Sequence, residues 1–253
     1  MLRGVSLDVP ADGFVGILGP NGSGKTTLLR VLAGTVRPAP GRVTLDGIDL
    51  SHVSRKAMAR RMAVVPQDTH LAFDFTALEV VLMGRYPHLS TFEIEGPRDI
   101  AIARAALDAT GTLSLEDRTF ATLSGGEKQR VVIAAALAQI SAGSAGILLL
   151  DEPTAALDLA YQLEVATLLR DLQRRTPIAI VISTHDLNFA AGLCRTLVLL
   201  KEGRVLAAGP TAEVLTAENI RTLYGVEAEV QAHAGAGHLV VVPMHRVRPG
   251  APS

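Results

Sequence analysis

Apolar positions along this chain fall into short blocks, and the period of those blocks changes twice. Phe14-Val-Gly-Ile-Leu18 is an unbroken apolar run that predicts a buried strand. Thr27-Leu-Leu-Arg-Val-Leu-Ala33 behind it predicts a helix, closed by Gly34. Gly4–Val9 alternates weakly and predicts another strand, with a turn at Pro10–Gly13. Arg42–Leu45 and Met62–Val65 predict short strands around a turn at Asp46-Gly47 and a polar helix near Ser51–Arg60. From Ala77 to about Ile140 the pattern is helical, with segments at Leu78–Gly84, Asp99–Thr110 and Gly126–Gln139 separated by Gly and Pro breaks. Strands then return in alternation with helices: Ile147–Leu150, the helix Leu159–Arg174, Ile178–Ser183, the helix Asp186–Leu193 and Thr196–Leu200. Beyond Gly225, Glu227–Gln231 and His238–Val242 are expected to pair as a hairpin around Ala-Gly-Ala-Gly, with Pro249–Ser253 frayed.

This succession predicts an α/β fold, a core interrupted by a helical insertion, with two lobes in one folding unit. The expected division is a domain over 1–225, with core 1–75 and 146–225 and helical subdomain 76–145, then an extension over 226–253. Composition narrows the class. The chain has 253 residues, 48% hydrophobic and 19% charged, with a formal net charge of −1. Balanced charge argues against a duplex-DNA binder with a basic face, so no nucleic-acid partner is expected. Cys194 is the only cysteine, which excludes an internal disulfide and suits a reducing compartment. No basic segment followed by an apolar core opens the chain, and no apolar run is long enough to span a bilayer, so a soluble protein is expected.

The chemistry starts at the junction of the first buried strand and its helix. Gly19-Pro20-Asn21-Gly22-Ser23-Gly24-Lys25-Thr26-Thr27 fits Gly-x-x-x-x-Gly-Lys-[Ser/Thr]. A strand feeding a helix through such a turn gathers backbone N–H groups around one anion, and the helix dipole adds to the attraction. Lys25 is expected to reach the β- and γ-phosphates, and the Thr26 hydroxyl to hold Mg2+. A chance match to this pattern in a chain of this length is about a 1% event. Nucleotide binding therefore follows, while the reaction class stays open.

Two further stretches narrow it. Ile147-Leu-Leu-Leu-Asp151-Glu152-Pro153 is an apolar strand ending in two acids, and buried parallel strands deliver such ends to the ligand crevice. Asp151 would support the Mg2+, and Glu152 would polarise a water for attack on the γ-phosphate. In Leu123-Ser-Gly-Gly-Glu-Lys-Gln-Arg130, Ser124 and Glu127 form a capping box at a helix start. Gly125 and Gly126 directly after the cap each cost up to about 1 kcal/mol of helix propensity. Close approach of the backbone to an anion would explain them, making this helix start a second phosphate-binding surface.

The order of phosphate loop, Gln67, Leu-Ser-Gly-Gly-Glu-Lys-Gln-Arg, Asp151-Glu152 and His185 resembles the ATP-binding cassette (ABC) ATPases over roughly residues 4 to 225. The resemblance implies a P-loop NTPase with a RecA-like core, an inserted helical subdomain and a small β subdomain at the N-terminus. It also implies a head-to-tail homodimer enclosing two ATP molecules, each held by the phosphate loop of one copy and by Ser124, Gly125 and Gly126 of the other. Further implied roles are Gln67 reaching Mg2+ and the attacking water, His185 contacting the γ-phosphate, and Asp158 marking the loop Ala155–Asp158 along the dimer interface. Phe75-Thr-Ala-Leu-Glu-Val-Val-Leu-Met-Gly-Arg-Tyr-Pro-His-Leu89 and Leu157-Asp-Leu-Ala-Tyr-Gln-Leu-Glu164 resemble ATPases that drive uptake of iron–siderophore complexes, haem or cobalamin. That sub-family implies a peripheral subunit on the cytoplasmic side of the plasma membrane. Its partners would be transmembrane permease subunits and, indirectly, a periplasmic or extracellular substrate-binding protein.

The alternative is a soluble cassette ATPase of the iron–sulfur assembly type. One departure concerns the adenine. Eighteen residues precede Gly19, and Phe14, the sole aromatic among them, is expected in the core. The start thus reads as short, with no adenine-stacking aromatic and with Gly4–Val9 as an exposed sheet edge. His233, His238 and His245 have no cysteine or closely spaced carboxylate beside them, so a metal site is not expected there.

Overall fold

The computed structural model of the chain describes residues 2–69, 71–140, 146–155 and 157–247. In chain order the elements are β1 (Phe14–Leu18), α1 (Lys25–Leu32), β2 (Thr44–Leu45), β3 (Ile48–Asp49), α2 (Arg55–Ala59), β4 (Met62–Val65), α3 (Ala77–Met83), α4 (Pro97–Ala109) and α5 (Gly125–Ile140). There follow β5 (Gly146–Asp151), α6 (Leu159–Arg175), β6 (Ile178–Thr184), α7 (Leu187–Leu193), β7 (Thr196–Lys201), β8 (Arg204–Pro210), α8 (Thr211–Val214), α9 (Ala217–Tyr224), β9 (Val226–His233) and β10 (His238–Arg246).

Six strands form one sheet in the order β4-β5-β6-β1-β7-β8, parallel except for β8. Unbroken apolar composition puts β1 and β6 in its middle, where every residue of both is buried. Leu18 lies level with Thr184, Asp151 with Ser183 and Val65 with Leu150. The carboxyl ends of four strands therefore share one edge, the place where parallel α/β sheets take ligands.

Gly4–Val9 corrects the sequence expectation: it forms no strand. Its alternation is real, since Leu2, Val5, Leu7 and Val9 pack against the apolar cluster beneath α1. A packed face needs no ladder, however, and just before the segment Arg3 N donates to Gly203 O at 2.7 Å. The sheet edges are β4 and β8 instead. The polar helix near Ser51–Arg60 is also divided, into a 3-10 turn at Leu50–His52 capped by Asp49 and α2 capped by Ser54. The strand β8 and helices α8 and α9 were not anticipated.

The helical lobe closes over Ala77, Val81, Leu107, Val131, Ala134 and Ala138. A buried ion pair ties its three helices: Arg85 Nε lies 3.0 Å from Asp99 Oδ1, and Arg85 Nη1 donates to Ala138 O at 2.6 Å. Gln139 crosses to the core, donating to Ala59 O at 2.8 Å and Met62 O at 3.0 Å.

The expected C-terminal hairpin is present as β9 and β10, and it buries Ala228 and Val241 in the main core. Asn188 of α7 holds it edge-on. Its Oδ1 accepts from Val241 N at 2.8 Å and its Nδ2 donates to Val241 O at 3.2 Å. Asn188→Ala leaves both buried backbone groups without partners and is expected to cost about 1–3 kcal/mol. A urea midpoint unchanged from the parent would refute that anchoring.

Candidate functional site

The phosphate loop is shaped by where side chains do not fit. A Cβ on Gly19 would stand 2.3 Å from Leu200 O and 2.6 Å from Ser23 Oγ, so only glycine lets the loop pass β7. Gly22 and Gly24 have φ of 80° and 108°, in the left-handed region that glycine enters without strain. Gly24 is the N-cap of α1 and offers no side-chain cap, so the first amides of the helix remain available to a ligand.

Two buried polar groups point to the same ligand. Ser23 is 3% exposed, and its Oγ has no hydrogen-bond partner among the described residues. Lys25 is 5% exposed, an expensive place for an ammonium. Its Nζ donates to Gly19 O at 2.8 Å and pairs with Glu152 Oε1 at 3.0 Å. Buried cationic and N–H donors around a glycine turn fit a polyphosphate. Asn21, Thr26 and Thr27 are exposed along the outer surface of the loop and the first turn of α1.

The two acids at the end of β5 have different surroundings. Asp151 is buried, with its Oδ1 accepting from Ser183 Oγ at 2.6 Å. Glu152 leaves the strand with φ of 45°, rare for a side-chain-bearing residue. Its amide is held by Ser183 O at 3.0 Å and Ser183 Oγ at 3.1 Å. The turn aims its carboxylate between Lys25 and His185, whose Nδ1 lies 2.9 Å from Oε2. Burial pushes the Glu152 carboxyl up, but the Lys25 ammonium and the His185 imidazole together outweigh it and hold the group below the usual carboxylate range. At neutral pH it is therefore an anion.

Other sequence-predicted residues stand apart from this trio. Gln67 is exposed two residues beyond β4. Ser124 and Glu127 form the expected capping box, with Ser124 N donating to Glu127 Oε2 at 2.7 Å and Glu127 N to Ser124 Oγ at 3.3 Å. Gly125 is exposed, whereas Gly126 is buried and has a reason the sequence did not suggest. A Cβ there would meet the Tyr161 ring at 2.4 Å, so the helix needs glycine to pack against α6. Asp158 caps α6, accepting from Tyr161 N at 3.1 Å. Ala156, in the loop expected along a dimer interface, lies outside the described residues, as do 249–253. Among the described residues no hydrogen bond or ion pair joins Gln67, Ser124 or Asp158 to Lys25, Glu152 or His185. Ser183 is the residue of the site that sequence reasoning missed. The level register of β5 and β6 puts it there, and no local motif marks it.

Among the described residues no group of three metal-ligating side chains occurs, and no helix is long and apolar enough to cross a membrane.

The family model for ABC transporters matches residues 2–155. The hemin import ATP-binding protein HmuV of Gloeobacter violaceus is 44% identical over 247 residues, covering 96% of this chain and 89% of its own length. The ferric enterobactin transport ATP-binding protein FepC of Escherichia coli K12 is 39% identical over 245 residues, covering 97% and 89%. The cobalamin import ATP-binding protein BtuD of Halobacterium salinarum is 42% identical over 231 residues. That match takes in 91% of this chain, which spans 56% of the longer relative. Among solved structures, one described as a metal-chelate type ABC transporter in an inward-facing conformation superposes with a TM-score of 0.82 at 32% identity, covering 95% of this chain and 91% of that one. A dimeric bacterial ABC transporter cassette gives 0.71 at 29% identity, covering 83% and 90%.

Gly19→Ala is expected to abolish nucleotide binding and lower stability, because the atom it strikes is a backbone carbonyl that cannot swing away; equilibrium dialysis with ATP and a thermal melt check this. The lowered carboxyl of Glu152 also fixes a pH dependence. Its contribution to stability is full above the usual carboxylate range, and it is lost as pH falls below that range through the depressed value. Glu152→Gln should flatten the acid limb of stability against pH. A superimposable limb would remove the group from the balance.

Proposed function

We infer that this chain, which belongs to the ABC transporter family, is the ATP-binding and ATP-hydrolysing subunit of an importer for a metal chelate (iron–siderophore, haem or cobalamin). The observation that carries the mechanism is the chain of contacts Lys25–Glu152–His185, running from a buried lysine to an exposed histidine at the carboxyl edge of a parallel sheet, beside a loop of open amides.

The reaction is in-line transfer of the γ-phosphoryl group of ATP to water, which depends on positioning and charge neutralisation. Amides of Gly22–Thr27 and the Lys25 ammonium bind the phosphates. Glu152, anionic at neutral pH, accepts the proton of the attacking water, and His185 contacts the γ-phosphate while orienting the Glu152 carboxylate. Mg2+ arriving with the nucleotide would be held by Thr26 and Asp151, with Gln67 reaching it from the end of β4; it supplies charge neutralisation on the phosphate oxygens. These donors fit it, being a hydroxyl, a carboxylate and an amide oxygen on one edge.

Two copies assemble head to tail, so that Ser124, Gly125 and Gly126 of one close over the nucleotide of the other and Asp158 lies along the shared face. Among the described residues no hydrogen bond or ion pair joins Ser124 to Lys25, and the capped start of α5 fits a partner from another copy, which supports this reading. A separate permease docks on the helical lobe beyond Gln67. Val81 is fully buried there and Leu78 and Leu82 half-buried, while Tyr86 is 58% exposed on the surface such a partner would meet. Cargo selection belongs to that permease and an external binding protein, with this subunit peripheral on the cytoplasmic side.

Glu152→Gln is expected to bring hydrolysis close to zero while ATP still binds and holds the two copies together, seen as a dimer in size-exclusion chromatography with ATP. Turnover near the parent rate would show that another group takes the proton. Ser124→Phe should keep ATP binding and lose both ATP-dependent pairing and hydrolysis. An unchanged rate in that variant would overturn the shared site.

A further inference from the structure

We propose that Tyr224 is a positioning residue for His185, so that the C-terminal helix and hairpin set the placement of the histidine that contacts the γ-phosphate; this rests on the role of His185 given above. His185 itself is half exposed, and its imidazole Nδ1 lies 2.9 Å from Glu152 Oε2. What holds it is its backbone. On one side β6 ends in Thr184, whose Oγ1 accepts from Asp186 N at 3.1 Å. On the other, Asp186 caps α7 through Phe189 N at 2.9 Å. The remaining contact comes from 39 positions away: Tyr224 Oη donates to His185 O at 3.5 Å.

The phenol is itself firmly placed. Its ring packs against the main core from the last turn of α9. Lys201 at the end of β7 donates to Thr222 O at 2.6 Å, and Arg221 Nε pairs with Glu227 Oε1 at 3.1 Å across the helix end. Gly225, with φ of 66°, then turns the chain into β9, and Val247 N returns to Gly225 O at 2.9 Å to close the hairpin base. Burial, reinforced by the charges of Glu152 and Asp186 that face the phenol, pushes its pKa up to about 12, so Oη keeps its proton at neutral pH and remains a donor.

The hairpin grips the same segment a second time. Asn188, three residues after His185, bonds both backbone groups of Val241 in β10. The segment His185–Asn188 is thus held at one end through the His185 carbonyl and at the other through the Asn188 side chain, both by residues beyond β8. A loop held only by β6 would leave the imidazole free to swing with α7. The two C-terminal contacts remove that freedom and keep Nδ1 on Glu152.

Tyr224→Phe removes Oη and keeps the ring. In the full-length protein it is expected to lower kcat about two- to threefold, the lower end of one hydrogen bond's worth for a contact of 3.5 Å, with the KM for ATP unchanged. In a His185→Ala background it should change the residual rate no further, because its effect passes through the imidazole. Tyr224→Leu, which also loses ring packing, should lower the melting temperature as well, whereas Tyr224→Phe should not. A Tyr224→Phe enzyme with parental kcat overturns the proposal and leaves the role of His185 intact. An equal loss in the parent and His185→Ala backgrounds overturns it too. If His185→Ala alone hydrolyses ATP at the parental rate, the histidine assignment and this proposal fall together.

Discussion

A lysine held at 5% exposure needs an anion, and much of this structure follows from meeting that requirement. The ammonium of Lys25 cannot reach water, and the carbonyl of Gly19 offsets only part of its lost hydration. Glu152 completes the balance, and it can do so because β1 and β5 both pair with β6, β5 ending level with Ile17, one residue short of the end of β1. A one-residue slip of β5 would turn its alternating side chains to the opposite face and take the carboxylate from the lysine. The apolar runs in these three strands therefore secure the site as well as the core. Two-faced burial of β5 and β6 fixes the register, and the register fixes the ion pair.

The backbone at Glu152 shows the same constraint locally. A positive φ at a glutamate costs of order 1–3 kcal/mol and persists only where the surroundings over-determine it. Here Ser183 does so, taking the Glu152 amide with two acceptors while its own hydroxyl hydrogen goes to Asp151. The strand's last two acids are thereby separated in function by one serine: Asp151 is locked to it and buried, while Glu152 is turned outward to Lys25 and His185. Strain at this point is the means by which a buried strand delivers a carboxylate that stays ionised.

Much of this was legible in the sequence because local patterns encode it. Glycine spacing gave the loop, apolar runs gave the parallel strands, and the Ser-x-x-Glu signature gave the start of α5, each appearing within a residue or two of its predicted place. What escaped was non-local. Ser183 joins the site only through the pairing of β5 with β6, a contact between residues 32 positions apart. Alternation at Gly4–Val9 correctly marked a buried face, yet it could not tell a strand from an extended segment lying on a core. Gly126 misled for a related reason: its lack of a side chain answers to Tyr161, 35 residues on, as well as to any anion.

That last contact bears on how the two halves of the proposed nucleotide sandwich move. Tyr161 stands in the first turn of α6, whose cap is Asp158, and it presses on the first turn of α5, whose cap is Ser124. Arg130 and Glu164 pair one turn further along the same two helices. Ser124 and Asp158 are consequently fixed to each other through two contacts, although neither is hydrogen-bonded to the other. In the proposed sandwich, the two helix caps that would face a second copy, Ser124 and Asp158, are therefore tied through α5 and α6. A shift of α5 that withdraws Ser124 from a nucleotide must carry Asp158 with it. Under the proposed head-to-tail pairing, opening of the site and release of the interface would then be a single motion, coupling spent nucleotide to a changed subunit arrangement.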